Sequence, residues 1–140
     1  MNPTLTRRVV WSSALYDLLL TLPFATPWTA QWLSRQLAAL HTAMQLQGAP
    51  PSLEEPTALL FANLMGSIVV VWSVLRLRAP TAQHGLADAT ARLLFSSWML
   101  FALLHGGSPI VLPLLVAEVA WGLVQFAVVG AAPWRNQATA

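Results

Sequence analysis

Four apolar segments, about 9–27, 57–75, 90–105 and 110–129, hold only three of the twelve charged residues in this 140-residue chain: Asp17, Arg92 and Glu118. Each approaches the roughly 20 residues that a helix needs to cross a hydrocarbon layer about 30 Å thick. Inside such a layer a backbone satisfies its own N–H and C=O groups only as a helix or a closed barrel. These segments are apolar throughout rather than alternating, so the expected fold is all-α: an integral-membrane four-helix bundle in one domain covering residues 1–140. Charged residues are 9% of the chain, against about 25% in an ordinary soluble domain. A water-facing surface cannot be built from so few.

The charges outside the segments orient them. All seven cations are arginine, at positions 7, 8, 35, 76, 78, 92 and 135. They alternate between rich and poor connections: two at the N-terminus, one in the 28–55 connection, two plus Arg92 around the next, none in the Gly106-Gly107 turn and one at the C-terminus. Cytoplasmic connections attract arginine, which predicts both termini in the cytoplasm of a bacterium, with the chain in the inner membrane. The same scatter excludes nucleic acid as a partner, since phosphate binding needs clustered basic residues. Cysteine is absent, which rules out disulfide chemistry, thiol catalysis and cysteine-ligated metal. His41 and His105 are expected at the outer edge and His84 in a loop, an arrangement unsuited to haem. No metal or cofactor is expected.

The longest connection has its own periodicity. Trp28, Trp32, Leu33, Leu37, Leu40 and Met44 recur at helical spacing, and Gln31, Ser34, Arg35, Thr42 and Gln45 take the other side. This predicts an amphipathic helix over about 28–46 lying flat at the outer interface, with Leu37 and Leu40 inward and the tryptophans at headgroup level. Gly48-Ala49-Pro50-Pro51 ends it, and Glu54-Glu55-Pro56 opens the second span with acids at a helix N-terminus. Pro80 to Asp88 reads as a polar turn. The third span is then short, so that Arg92 must snorkel or the helix must sit partly inside the protein.

Any chemistry must come from polar groups within the spans, where a charge costs at least about 2.5 to 3.5 kcal/mol. Each span has a polar row at i, i+3/i+4 spacing: Ser13, Asp17 and Thr21; Asn63, Gly66 and Ser67; Arg92 and Ser96; Glu118, Gly122 and Gln125. These rows are expected to face one another as a polar seam. At 1.5 Å per residue, Asp17 lies about 12 Å from the cytoplasmic edge and Arg92 reaches towards the same depth, which predicts an ion pair. Glu118 and Asn63 both fall near 18 to 20 Å on the same scale, which predicts Glu118 as a neutral acid hydrogen-bonded to Asn63.

A Pro-containing end to the first span (Leu22 to Pro27), a surface helix, Asn63-x-x-Gly66 in the second span and Glu118 alone in the fourth together resemble small DoxX-like four-helix membrane proteins over most of residues 9–129. That resemblance implies little about reaction, because such proteins are diverse, some being accessory subunits of membrane redox systems. The leading expectation is a non-enzymatic protein whose seam binds a small amphipathic molecule, or supports a partner membrane subunit or a second copy of the chain. Two alternatives stand beside it. One is a proton-coupled exporter, with Asp17 matching the single first-helix carboxylate of small multidrug-resistance proteins. The other is an isomerase-like enzyme using Asp17 and Glu118.

Overall fold

The computed structural model describes residues 3–129, and every regular element among them is helical: α1 (Pro3–Thr21), a 3-10 turn (Leu22–Ala25), α2 (Pro27–Ala43), α3 (Pro56–Arg78), α4 (Ala82–Leu104), a second 3-10 turn (Pro109–Val111) and α5 (Leu112–Val129). Three helical stretches are long and apolar enough to cross a membrane: α3, α4, and α5 with the 3-10 turn before it. A fourth arises only if Pro3–Ala25 and Pro27–Ala43 count together, and they are bent by 103°.

That bend follows from the sequence Leu22-Pro23-Phe24-Ala25-Thr26-Pro27. Each proline lacks the N–H that would continue a helix, and Pro27 forces the residue before it into extended backbone; Thr26 has φ −131° and ψ 147°. Thr26 then caps α2, while the Thr29 hydroxyl donates back to the Pro23 carbonyl. The turn is seated on α3. Asn63 Nδ2 donates to the Phe24 carbonyl at 2.9 Å, and a Cβ on Gly66 would lie 2.5 Å from the Phe24 carbonyl carbon. The Asn-x-x-Gly pattern is therefore a clamp on the bend and takes no part in the polar seam.

Helix limits differ from the sequence expectation in two places. The first helix begins at Pro3 and ends at Thr21, since the prolines stop it short of residue 27. The polar stretch before the third span is helix as well: α4 starts at Ala82, with the Thr81 side chain accepting from the His84 N–H at 3.2 Å. His84, Gly85 and Asp88 thus lie on α4, and only residues 79–81 connect it to α3. Gly85 permits close packing there, because a Cβ would meet Val10 Cγ2 at 2.6 Å. At the start of α3, Glu55 accepts from the Thr57 and Ala58 N–H groups at 3.0 and 2.7 Å. These bonds favour the ionised carboxylate and hold Glu55 below the ordinary carboxylate range.

Helix α1 packs on α3 and α4 on α5, and the two pairs lean together mainly through α1 and α5. Helices α3 and α4, although consecutive, meet near Trp72, His84 and Asp88 and otherwise stand apart. At the opposite end two loops clasp. Gly48 (φ +88°) brings its backbone against the Gly106 and Gly107 carbonyls, the Ala49 N–H donates to Gly106 O at 2.8 Å, and His41 Nδ1 shares a 2.7 Å hydrogen bond with Ser108 Oγ.

Helix α2 turns a narrower face to this body than the apolar stripe predicted. Ala30, Ser34 and His41 are buried, whereas Trp28 is 78% exposed and Leu40, expected inward, is also exposed. The whole molecule shows the same inversion. Among the described residues twelve buried side chains are polar or charged and only five are hydrophobic, while leucines, valines and tryptophans dominate the exterior. In water such an arrangement would leave charges buried and oils exposed. It suits hydrocarbon outside.

Candidate functional site: a charged floor beneath an apolar cavity

One row from each long helix meets in the interior. Ser13 and Asp17 come from successive turns of α1, Ser73 and Arg76 from α3, Asp88 and Arg92 from α4, and Glu118 and Gln125 from α5. Arg92 is the hub, and all three of its nitrogens are used. Nη2 donates to both oxygens of Asp17 at 2.7 Å and to Ser13 Oγ at 2.8 Å; Nη1 donates to Glu118 Oε2 at 2.7 Å; Nε reaches Asp88 Oδ2 and Gln125 Oε1, each at 3.2 Å. Gly122 packs beside this side chain with space to spare, since a Cβ there would sit in ordinary contact, 3.7 Å from Arg92 Cβ.

Arg76 is the second cation. Its Nη2 lies 2.6 Å from Asp17 Oδ2 and its Nη1 2.6 Å from Asp88 Oδ2. Asp88 is the more enclosed acid, because it also accepts from Ser13, Gln125 Nε2 and Trp72 Nε1. Aromatic faces shield the guanidiniums, with Arg76 over Trp72 and Arg92 over Tyr16 at 5.5 and 5.7 Å from the ring centroids. One donor is left over: Arg76 Nε is buried without a partner among the described residues.

Three carboxyls and two guanidiniums give the cluster a formal charge of −1. The acids are not equally engaged. Both oxygens of Asp17 and of Asp88 accept hydrogen bonds, whereas Glu118 uses only Oε2. Glu118 Oε1 has no partner among the described residues, and it is not one of the fully occluded polar atoms.

Above this floor the gap between α3 and α4 is a cavity of about 890 Å³. Phe24, Met65, Ile68, Phe95 and Leu114 form parts of its wall, Leu33 and Leu37 of α2 border it, and with Met65 and Ile68 exposed it is open to the exterior of the bundle. Its polar lining comes chiefly from Asp17, Asp88, Arg92 and Glu118. The shape is that of a small-molecule site, mostly apolar with a few convergent polar groups.

Of the residues expected in the seam, Ser13, Asp17, Arg92, Glu118 and Gln125 come together, and Asp17 pairs with Arg92 as their depths predicted. The expected bond between Glu118 and Asn63 does not form, because Asn63 is turned to the Phe24 carbonyl and Glu118 to Arg92. Ser67 faces outward and is exposed, and half-buried Ser96 lies outside the cluster. Arg92 does not snorkel; it is 2% exposed. Sequence reasoning missed Asp88 and Arg76, taking one for a turn residue and the other for a span end. The Asp88–Arg92 pair at i, i+4 was the signal available for the first.

Fold and site together define a class: an all-helical bundle with an apolar exterior, a charged interior and a cavity between two helices. Comparison with protein-family profiles, with characterised proteins and with solved structures found no match to this chain.

Proposed function

We propose that this chain is an integral protein of the bacterial inner membrane, both termini cytoplasmic, that binds a small amphipathic molecule between α3 and α4. The observation that carries this reading is the union of an apolar chamber of about 890 Å³ with a charged floor. Such a space takes an alkyl or ring body against Ile68 and Phe95 and a polar head against Asp17 or Glu118. Arg7, Arg8 and Arg78 lie at one end of the bundle and Arg35 near the other. Even with Arg76 and Arg92 withdrawn into the core, the arginine bias supports a cytoplasmic N-terminus. The DoxX-like resemblance belongs to the same reading and rests on the order of parts alone.

An isomerase-like reading draws on the same cavity, since Asp17 and Glu118 both line it. Acid–base catalysis of that kind needs two groups free to exchange protons with a substrate. Asp17 has both oxygens bonded to arginines, so only Glu118 is free. Binding fits this geometry better.

The test uses the full chain in lipid nanodiscs and a brominated short-chain amphiphile that quenches tryptophan on contact. Trp72 lines the cavity, whereas Trp28, Trp32 and Trp98 face outward. Saturable quenching that disappears in Ala91→Phe and in Trp72→Phe is the expected result. Quenching that rises linearly with bulk amphiphile and is the same in wild type and Ala91→Phe would overturn it.

A further inference from the structure

We propose that the cavity selects a cationic amphiphile, whose ammonium group settles against Glu118 Oε1 and displaces the one proton that neutralises the cluster. The inference rests on the binding reading above and adds the chemical class of the ligand.

Charge balance supplies the first step. Three carboxyls against two guanidiniums leave a formal charge of −1 on a buried cluster at the floor of a mostly apolar cavity. An uncompensated charge there is costly, so the empty cavity is neutral when the carboxyls share one proton. A cation in the cavity gives the same neutrality without it.

Geometry supplies the second. What the floor presents to the cavity is carboxylate: the Asp17 and Glu118 side chains are 11% and 7% exposed, against 2% for Arg92 and none for Arg76. Glu118 is more than nine-tenths buried, borders the cavity, and has one oxygen without a partner among the described residues. The groups facing it are Tyr16 and Asp17 from α1 and Asp88 and Arg92 from α4, with Arg76 of α3 behind them. Both cations are already committed to acids, so an anionic headgroup finds no free guanidinium in the cavity.

The exchange balances simply. A carboxylic acid of the cluster gives its proton to water, the carboxylate so formed pairs with the incoming ammonium, and no covalent bond other than O–H changes. Ligand binding and proton binding therefore compete. By linkage, affinity for the cation rises with pH by up to about tenfold per unit while one proton is displaced.

The experiment is titration calorimetry of the chain in nanodiscs with octyltrimethylammonium, 1-octanol and octanoate, repeated in buffers of different ionisation enthalpy. A quaternary ammonium has no proton of its own, so any proton released comes from the protein. The expected result is binding of the cation at least tenfold tighter than octanol, octanoate weaker than either, and about one proton released per cation. In Glu118→Gln the formal charge of the cluster is zero, so the ratio of cation affinity to octanol affinity should fall to about one, whatever the change in octanol affinity itself, and the proton release should disappear. Octanol binding saturably and as tightly as the cation would overturn this inference and leave the binding reading standing. Saturable binding of none of the three would remove both. A cation preference unchanged in Glu118→Gln, with octanol binding intact, would overturn the assignment to Glu118.

Discussion

Replacing Arg92 with leucine is the most demanding test of the charged interior. The substitution removes every contact that the hub makes to Ser13, Asp17, Asp88, Glu118 and Gln125, and it changes the formal charge of the cluster from −1 to −2. Glu118 is left with no cation, and Asp17 keeps only Arg76. Breaking a buried ion pair by removing one partner costs about 3 to 5 kcal/mol, whereas an ordinary hydrogen bond between membrane helices contributes about 0.6 kcal/mol. The larger figure is expected, because the leucine leaves charge behind as well as lost bonds. In an Asp17→Asn background the same change restores the wild-type formal charge of −1, so it should cost less, with a coupling of about 1 to 3 kcal/mol. Unfolding by SDS in mixed micelles, followed by circular dichroism, measures both legs of the cycle. A loss below about 1 kcal/mol, or equal losses in the two backgrounds, would refute the reasoning that these groups form one electrostatic unit.

Three further outcomes follow from local geometry. Gly66→Ala drives a methyl into the Phe24 backbone and should cost about 1 to 3 kcal/mol, while Gly122→Ala, whose nearest neighbour would be 3.7 Å away, should be neutral or slightly stabilising; the same SDS titration compares them. Because its cap bonds hold Glu55 below the ordinary carboxylate range, its contribution is present above that range and is lost as pH falls through the lowered value. The stability difference between wild type and Glu55→Ala should therefore shrink in acid, and a difference independent of pH would show that the carboxylate charge is immaterial. Reporters inserted after Arg78 and near Gln47 should report cytoplasm and the outer side respectively, and a cytoplasmic signal at Gln47 would contradict a crossing by α1; a reporter after Arg135, also expected in the cytoplasm, lies outside the described residues.

Local pattern carried a good part of this protein. The length and apolarity of the segments determined helices, because no other open structure satisfies a backbone in hydrocarbon. Spacing within a helix put Ser13 with Asp17 and Glu118 with Gln125 on common faces, since residues on successive turns of a 3.6-residue helix are neighbours whatever surrounds them. Rise per residue even paired Asp17 with Arg92, because both were placed on one axis with one origin. Rotation was another matter. Helix α3 is apolar nearly all round, so its sequence has no asymmetry to say whether Ser67 or Ser73 turns inward. Contact of Gly66 with the Phe24 backbone decides that, and it turns Asn63 away from Glu118 in doing so. The roles of Arg76 and Asp88 depended on the start of α4 and on long side chains reaching inward from one end of the bundle, which are relations between helices rather than within one. The sequence by itself determined that Ser13, Asp17, Arg92, Glu118 and Gln125 belong to a buried polar seam; only the tertiary structure decided that Arg76 and Asp88 join it, which acid met which base, which oxygen of Glu118 was left open, and that α3 and α4 stand apart around a cavity, because those follow from how the helices rotate and pack against one another.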